Sequence, residues 1–255
     1  MRGGCILRVA AIYDIHGNLP ALEAVLQEIR AIGVDLLVVG GDVLPGPMPV
    51  ETLGRLLNLK TPVKFIRGNG EAAVVDELAG RESSTLHEQV RAGIRWTAQQ
   101  LSLEHERMIE SWPATIRSEI GGLGEVLFCH ATPRSDTELF TRLTPEERLL
   151  PVFDGINVPL VICGHTHMQF DRMVGTIRVV NAGSVGMPFG LPRADWLLLG
   201  PDVELRHTAF DLAQAAECIR KTEYPQAEDF AARNVLQPPS EEEMLKIFTR
   251  AELKG

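Results

Sequence analysis

Long apolar runs are missing from this chain of 255 residues. No stretch approaches the roughly 18 to 20 residues that a membrane-spanning helix needs. The amino terminus, Met1-Arg2-Gly3-Gly4-Cys5-Ile6-Leu7-Arg8, likewise has no extended apolar segment of the kind a secretory leader carries. A cytoplasmic protein without a membrane association is expected. Cysteine is scarce: Cys5, Cys129, Cys163 and Cys218 lie far apart and form no C-x-x-C pair. That excludes a disulfide framework and a thiolate zinc site, and the apolar runs around Cys129 and Cys163 point to small buried thiols. Positive charge is in deficit, with 25 Lys and Arg against 34 Asp and Glu and a net charge of −9. No Lys/Arg cluster is present, so extended nucleic acid is not an expected partner. Repeats and low-complexity tracts are absent, and 45% hydrophobic residues can bury a sizeable core.

What is present is an alternation of short β-branched runs with longer segments of helical period, the pattern of an α/β protein. Strands are expected at 8–13, 36–39, 63–66, 114–120, 126–129, 160–163, 169–174, 176–180, 196–199 and 203–209. Helices are expected from Asn18, over 50–57, 71–78, 86–101 and 103–111, and through most of the chain after Asp211. Gln237-Pro238-Pro239 breaks that last region, and Ser240 with Glu243 has the spacing of a capping box. The expected organisation is a domain over 1–210 with a helical extension of the same domain over 211–255.

Metal-ligating residue types gather at the ends of the expected strands. The first ends in Asp14-Ile15-His16-Gly17-Asn18, the second in Gly40-Gly41-Asp42, the third in Arg67-Gly68-Asn69-Gly70-Glu71. Later strands end in Cys129-His130 and in Cys163-Gly164-His165-Thr166-His167. Ligands of open α/β sheets bind beyond the carboxyl ends of strands, so these segments can share one site. Carboxylates, an amide oxygen and imidazoles together suit Mn, Fe, Zn, Ni or Co rather than calcium. Seven such groups exceed the needs of one first-row ion and point to two divalent metal ions. Strand alternation would aim Asp14 and His16 the same way, and His165 and His167 likewise if that segment is extended.

Asp14-x-His16, Gly41-Asp42, Gly68-Asn69, His130 and Gly164-His165-Thr166-His167, in this order, resemble the metallophosphoesterase, or calcineurin-like phosphoesterase, superfamily. The match is nearest to the small YfcE-type phosphodiesterases. The resemblance implies a four-layer α/β/β/α sandwich of two mixed sheets flanked by helices. It also implies one ion held by Asp14, His16, His167 and a bridging Asp42, and a second held by Asp42, Asn69, His130 and His165. Asp14, His16, Asp42, Asn69 and His130 would then serve catalysis, with a hydroxide between the two ions attacking phosphorus in line. Such a pair of ions lowers the pKa of a water and clamps the attacking and leaving oxygens.

One position departs from the family. Many members carry Gly-Asn-His after the third strand, whereas this chain has Gly70, which cannot protonate a leaving group. The implied activity is hydrolysis of a small phosphodiester or phosphomonoester. A protein phosphatase or nuclease on the same scaffold, or a non-catalytic metal-binding regulatory module, are the alternatives. Candidate substrate contacts are Asn18, which can also cap the first helix, Arg67, Arg134 and Ser184, the last in Asn181-Ala182-Gly183-Ser184.

Overall fold

Short runs of Val, Leu, Ile and Ala set the first sheet. In a computed structural model, which describes residues 7–81 and 86–253, β1 (Val9–Ile12) and β2 (Leu36–Val39) are buried at every position. Both are parallel strands covered on two faces, which is why their sequences are continuously apolar. β2 also pairs in parallel with β3 (Val63–Phe65). The second sheet contains β4 (Thr115–Ile120), β5 (Gly124–Cys129), β6 (Leu160–Cys163), β7 (Phe170–Val174) and β8 (Ile177–Asn181), in the order β4-β5-β6-β8-β7. The chain then returns to the first sheet as β9 (Ala194–Leu199) and β10 (Val203–Thr208), antiparallel on the free side of β1. The first sheet thus reads β10-β9-β1-β2-β3. The amino-terminal residues Met1–Ile6, including Cys5, lie outside the described residues.

Helix α1 (Leu19–Ile32) joins β1 to β2. Asn18 Oδ1 accepts the Ala21 N–H at 3.2 Å, Pro20 sits in the first turn, and Gly33 closes the helix at φ +73°. With α2 (Pro49–Leu57), α3 (Asn69–Leu78), α4 (Glu88–Gln100) and α5 (Leu103–Glu110), it packs on the outer face of the first sheet through Leu22, Val25, Leu53, Val74, Ile94 and Ile109. Period two then sorts the strands between layers. Ala10 and Ile12 face those helices, while Val9 and Ala11 face the second sheet, where Phe128, Ile162 and Val180 meet them. The outer face of the second sheet carries Leu127, Cys129, Val161 and Val179. It is covered by Phe140, Val152 and Phe153 and by one turn of helix, α6 (Glu146–Leu149).

The four-layer order expected from the family resemblance is present, with a thin fourth layer. Cys129 and Cys163 are buried, and burial pushes both thiols up. Three further helices follow: α7 (Leu212–Arg220), α8 (Ala227–Phe230), which continues as a π-helical turn over Ala231–Leu236, and α9 (Glu241–Thr249). Ser240 and Glu243 form the expected capping box at the start of α9. Among the described residues, no helix is long and apolar enough to cross a membrane.

Candidate metal centre

Beyond Ile12 and Val39 the β1–β2 pairing continues as loop hydrogen bonds. Asp14 N–H donates to the Gly41 carbonyl, His16 N–H to that of Asp42 and Gly17 N–H to that of Val43, at 2.9 to 3.1 Å. The second sheet is tied in by the N–H of His165, which donates to Asp14 Oδ2 at 2.9 Å, and by that of Val185, which donates to the Tyr13 carbonyl at 3.0 Å. The end of the sandwich is therefore cross-linked, and all seven candidate ligands meet there. Ligand atoms of Asp14, His16 and His167 lie within 4.8 Å of one another, as do those of Asp42, His130 and His165. Asn69 Oδ1 lies 3.0 Å from His130 Nε2.

The convergence is not produced by strand alternation. β1 ends at Ile12 and β6 at Cys163, so neither D-x-H nor H-x-H is extended. Asp14, His16, Asp42, His165 and His167 instead hold left-handed backbone, with φ between 48° and 67°. Each such non-glycine residue costs about 1–3 kcal/mol and persists only where its surroundings over-determine it. The expected same-face pairs are replaced by tight turns that point the polar side chains inward while Ile15 enters the helix-facing core.

The imidazoles are oriented from behind. His130 Nδ1 is 3.0 Å from the Gly40 carbonyl and His167 Nδ1 is 2.7 Å from that of Met187. A carbonyl can only accept, so Nδ1 of His130 and of His167 carries the proton, and Nε2 turns a lone pair to the centre. There it meets other acceptors. His167 Nε2 is 3.3 Å from both His16 Nε2 and Asp14 Oδ1, and His130 Nε2 is 3.5 Å from Asp42 Oδ1. Asp14 Oδ1 is buried and receives no hydrogen bond. A buried carboxylate oxygen among imidazole lone pairs is costly unless a cation or proton lies between them. The residues therefore fit a pair of metal ions. Asp42 lies between the two groups, its Oδ2 3.7 Å from His16 Nε2 and its Oδ1 3.5 Å from His130 Nε2.

Charge follows the same geometry. Burial, with His167 adjacent, lowers the His16 imidazole to about 3, and burial beside His130 lowers that of His165 to about 3. Burial alone would raise the Asp14 carboxyl, but the surrounding imidazoles, His167 foremost, hold it well below the usual carboxylate range. Asp42 is pushed up to about 7 by burial and by the neighbouring Glu71 and Asp14 carboxylates. Burial opposes charge on His130 and His167, but the nearby carboxylates outweigh it and raise both.

Sequence reasoning assigned no role to Glu71, although its Gly68-x-x-Glu71 spacing is that of a capping residue. Its buried carboxylate accepts the N–H groups of Asp42, Leu44 and Gly68, each at 2.9 Å, and so clamps the second and third loops together. Gly70 is equally constrained. Its N–H donates to Asp42 Oδ1 at 2.7 Å, and a Cβ there would lie 2.1 Å from the Leu44 carbonyl oxygen. The site has no room for a side chain at the position where many family members carry histidine.

The candidate substrate contacts divide. Asn18 donates to the Gly186 carbonyl at 2.9 Å while capping α1, so both ends of its amide are engaged. Ser184 donates to the Asp14 carbonyl at 2.7 Å and accepts from Met187 N–H at 2.8 Å. Arg134 forms a forked pair with Glu138, with contacts at 2.6 and 3.0 Å. These three groups have partners within the protein. Arg67, half-buried beside Gly68, has its backbone N–H on the Pro113 carbonyl.

A family model described as "Calcineurin-like phosphoesterase superfamily domain" matches residues 7–200. The phosphodiesterase YfcE of Escherichia coli K12 is 30% identical over 199 residues, 74% of this chain and 85% of that protein. The uncharacterized protein MJ0912 of Methanocaldococcus jannaschii is 29% identical over 86% of this chain and 94% of its own length. The crystal structure of a metallophosphoesterase from Sphaerobacter thermophilus is 26% identical with a TM-score of 0.71, covering 91% of this chain and all of that one. The chain belongs to the calcineurin-like phosphoesterase superfamily, and it is a metal-dependent phosphoesterase, a hydrolase of phosphate esters.

Two outcomes are expected from this geometry. Loading the metal-free protein with Mn(II) displaces the proton on Asp42, whose carboxyl is pushed up to about 7, so affinity rises as pH rises through that value. Calorimetric enthalpies measured in buffers of different ionisation heat should differ accordingly, and identical enthalpies would contradict the charge assignment. Glu71→Ala leaves three buried N–H groups without an acceptor, at about 1–3 kcal/mol each. A thermal unfolding midpoint equal to that of the parent chain would show that the clamp is dispensable.

Proposed function

We propose that this chain hydrolyses a small phosphodiester or phosphomonoester at a centre of two divalent metal ions. The observation that carries the reading is the convergence of Asp14, Asp42 and four imidazoles, with the buried Asp14 Oδ1 left without a hydrogen-bond donor. In this reading Asp14, His16 and His167 hold one ion, Asn69, His130 and His165 hold the other, and Asp42 is shared. The ions would supply a hydroxide nucleophile between them and neutralise charge on the phosphate oxygens.

The protein's own groups set the rest. The hydrogen bonds from Gly70 N–H to Asp42 and from His165 N–H to Asp14 fix the two carboxylates before substrate arrives. Arg67, adjoining Gly68 and Asn69, is the arginine best supported as a phosphate contact, because Arg134 is already paired with Glu138. Gly70 offers no proton to the departing oxygen, so the leaving group must depart on its own acidity or take a proton from water. Two dications outweigh the carboxylates Asp14 and Asp42, so the site attracts an anionic ester although the whole chain is acidic. That surface acidity favours a small ester over extended nucleic acid. The kinship with YfcE, named as a phosphodiesterase, supports a diester.

Protein reconstituted with Mn, Ni, Co, Fe or Zn should turn over bis(p-nitrophenyl) phosphate and p-nitrophenyl phosphate. Absence of turnover with every metal would favour a non-catalytic module. Asp42→Asn should lower kcat/KM by about a hundredfold or more, the scale of losing one preorganised electrostatic contact. Rates across a series of aryl esters should fall as leaving-group pKa rises, and a flat series would reveal a proton donor. Gly70→His should reduce activity rather than restore a proton donor, because its Cβ meets the Leu44 carbonyl.

A further inference from the structure

One of the carbonyls that orient imidazoles belongs to a loop held by the last part of the chain. On one side, Met187, which accepts from His167 Nδ1, packs against the cluster of Ala215, Ile219 and Phe230. Two residues further on, the Phe189 ring lies on the face of His167, with centroids 5.3 Å apart and planes at 20°. Phe248 of α9 backs Phe189 at 5.9 Å. The same loop is pinned by Gly190 N–H, which donates to the Pro239 carbonyl at 2.8 Å, just before α9 begins.

On the other side, the chain from Leu139 to Arg148 is tied to the same carboxy-terminal segment. Glu252 is 3% exposed, and its carboxylate accepts from Thr144 Oγ1 at 2.6 Å and Thr141 Oγ1 at 3.3 Å and pairs with Arg148 at 3.1 Å. Leu253 N–H donates to the Leu139 carbonyl at 2.8 Å, and Glu241 pairs with Arg142 at 2.7 Å.

A single hydrogen bond from Nδ1 leaves an imidazole free to pivot, because the torsion that turns the ring is soft. A flat aromatic face against the ring removes that freedom. We propose that the segment from Pro239 to Leu253 is a positioning clamp for the metal centre. Phe248 holds His167 through Phe189, while Glu252 and Leu253 anchor the end of the segment to residues 139–148. The inference rests on the metal-centre reading above. Phe189 and Phe248 are positioning residues, acting through His167 rather than on substrate.

Mn(II) titrated calorimetrically into the metal-free full chain tests this, with electron paramagnetic resonance reporting the spin-coupled pair and circular dichroism reporting the fold. Phe248→Ala should weaken one of the two Mn(II) sites about tenfold, the low end of what losing an outer-shell partner costs, and should diminish the coupled signal. Phe248→Tyr, which keeps the ring, should bind as the parent does. Ile247→Ala, at a 54% exposed neighbour on the same helix, should also leave both sites unchanged. If Phe248→Ala does not fold, Phe248→Leu keeps the apolar volume without the flat face and should show the same loss. Parental affinity in the folded Phe248 variant overturns the clamp while leaving the metal centre intact. A parent chain that binds no Mn(II) removes the metal-centre reading and the clamp together.

Discussion

Acceptors brought together without donors are the constraint on which the site depends. Nε2 of His167 lies 3.3 Å from Nε2 of His16 and 3.3 Å from Oδ1 of Asp14, a buried oxygen that receives no hydrogen bond. Such a cluster repels itself unless positive charge fills it. The fold holds it in place by hydrogen bonds on the far side of each group. His130 and His167 each have a carbonyl behind them, and each carboxylate receives a backbone N–H. The left-handed residues around the centre belong to the same balance, since their cost is offset by a sandwich whose two sheets are cross-linked at that end.

The layering explains why this end can be so rigid. Parallel strands β1 and β2 are buried on both faces, between α1–α5 on one side and the second sheet on the other. Their loops inherit that fixity because the ladder runs on past the strand ends as far as Gly17 and Val43. Glu71 extends it to the third loop by accepting N–H groups from Asp42, Leu44 and Gly68. Gly70 fits the same packing, and its bare α-carbon lets the third loop lie directly against the Leu44 carbonyl. The missing side chain is therefore tied to the architecture of the loops as well as to the chemistry of the leaving group.

Much of the fold was legible in the sequence, for physical reasons that can be named. Val9–Ile12, Leu36–Val39 and Leu160–Cys163 read as strands because buried parallel strands need continuous apolar runs. Asn18 with Pro20, and Ser240 with Glu243, announced helix starts through local bonds that the tertiary fold leaves in place. The alternation expected for Asp14 and His16 did not appear, because nothing local signals that the strand will end at Ile12, two residues before Asp14, and turn left-handed. The substrate contacts were hardest to read, since Asn18, Ser184 and Arg134 are polar groups whose partners, Gly186, Asp14 and Glu138, are set by loop packing.

Residue identity and strand-end position are properties of the sequence itself. They determined which side chains can ligate a metal, which helices and strands form, and that position 70 carries no proton donor. Everything that depends on distance between remote segments was decided by the tertiary structure. That includes the meeting of Asp14 with His167, the role of Glu71, the carbonyls behind His130 and His167 and the reach of α9 to Phe189. The reason is that ligand geometry is set to tenths of an ångström by packing across layers, and no local pattern encodes a contact made 150 residues away.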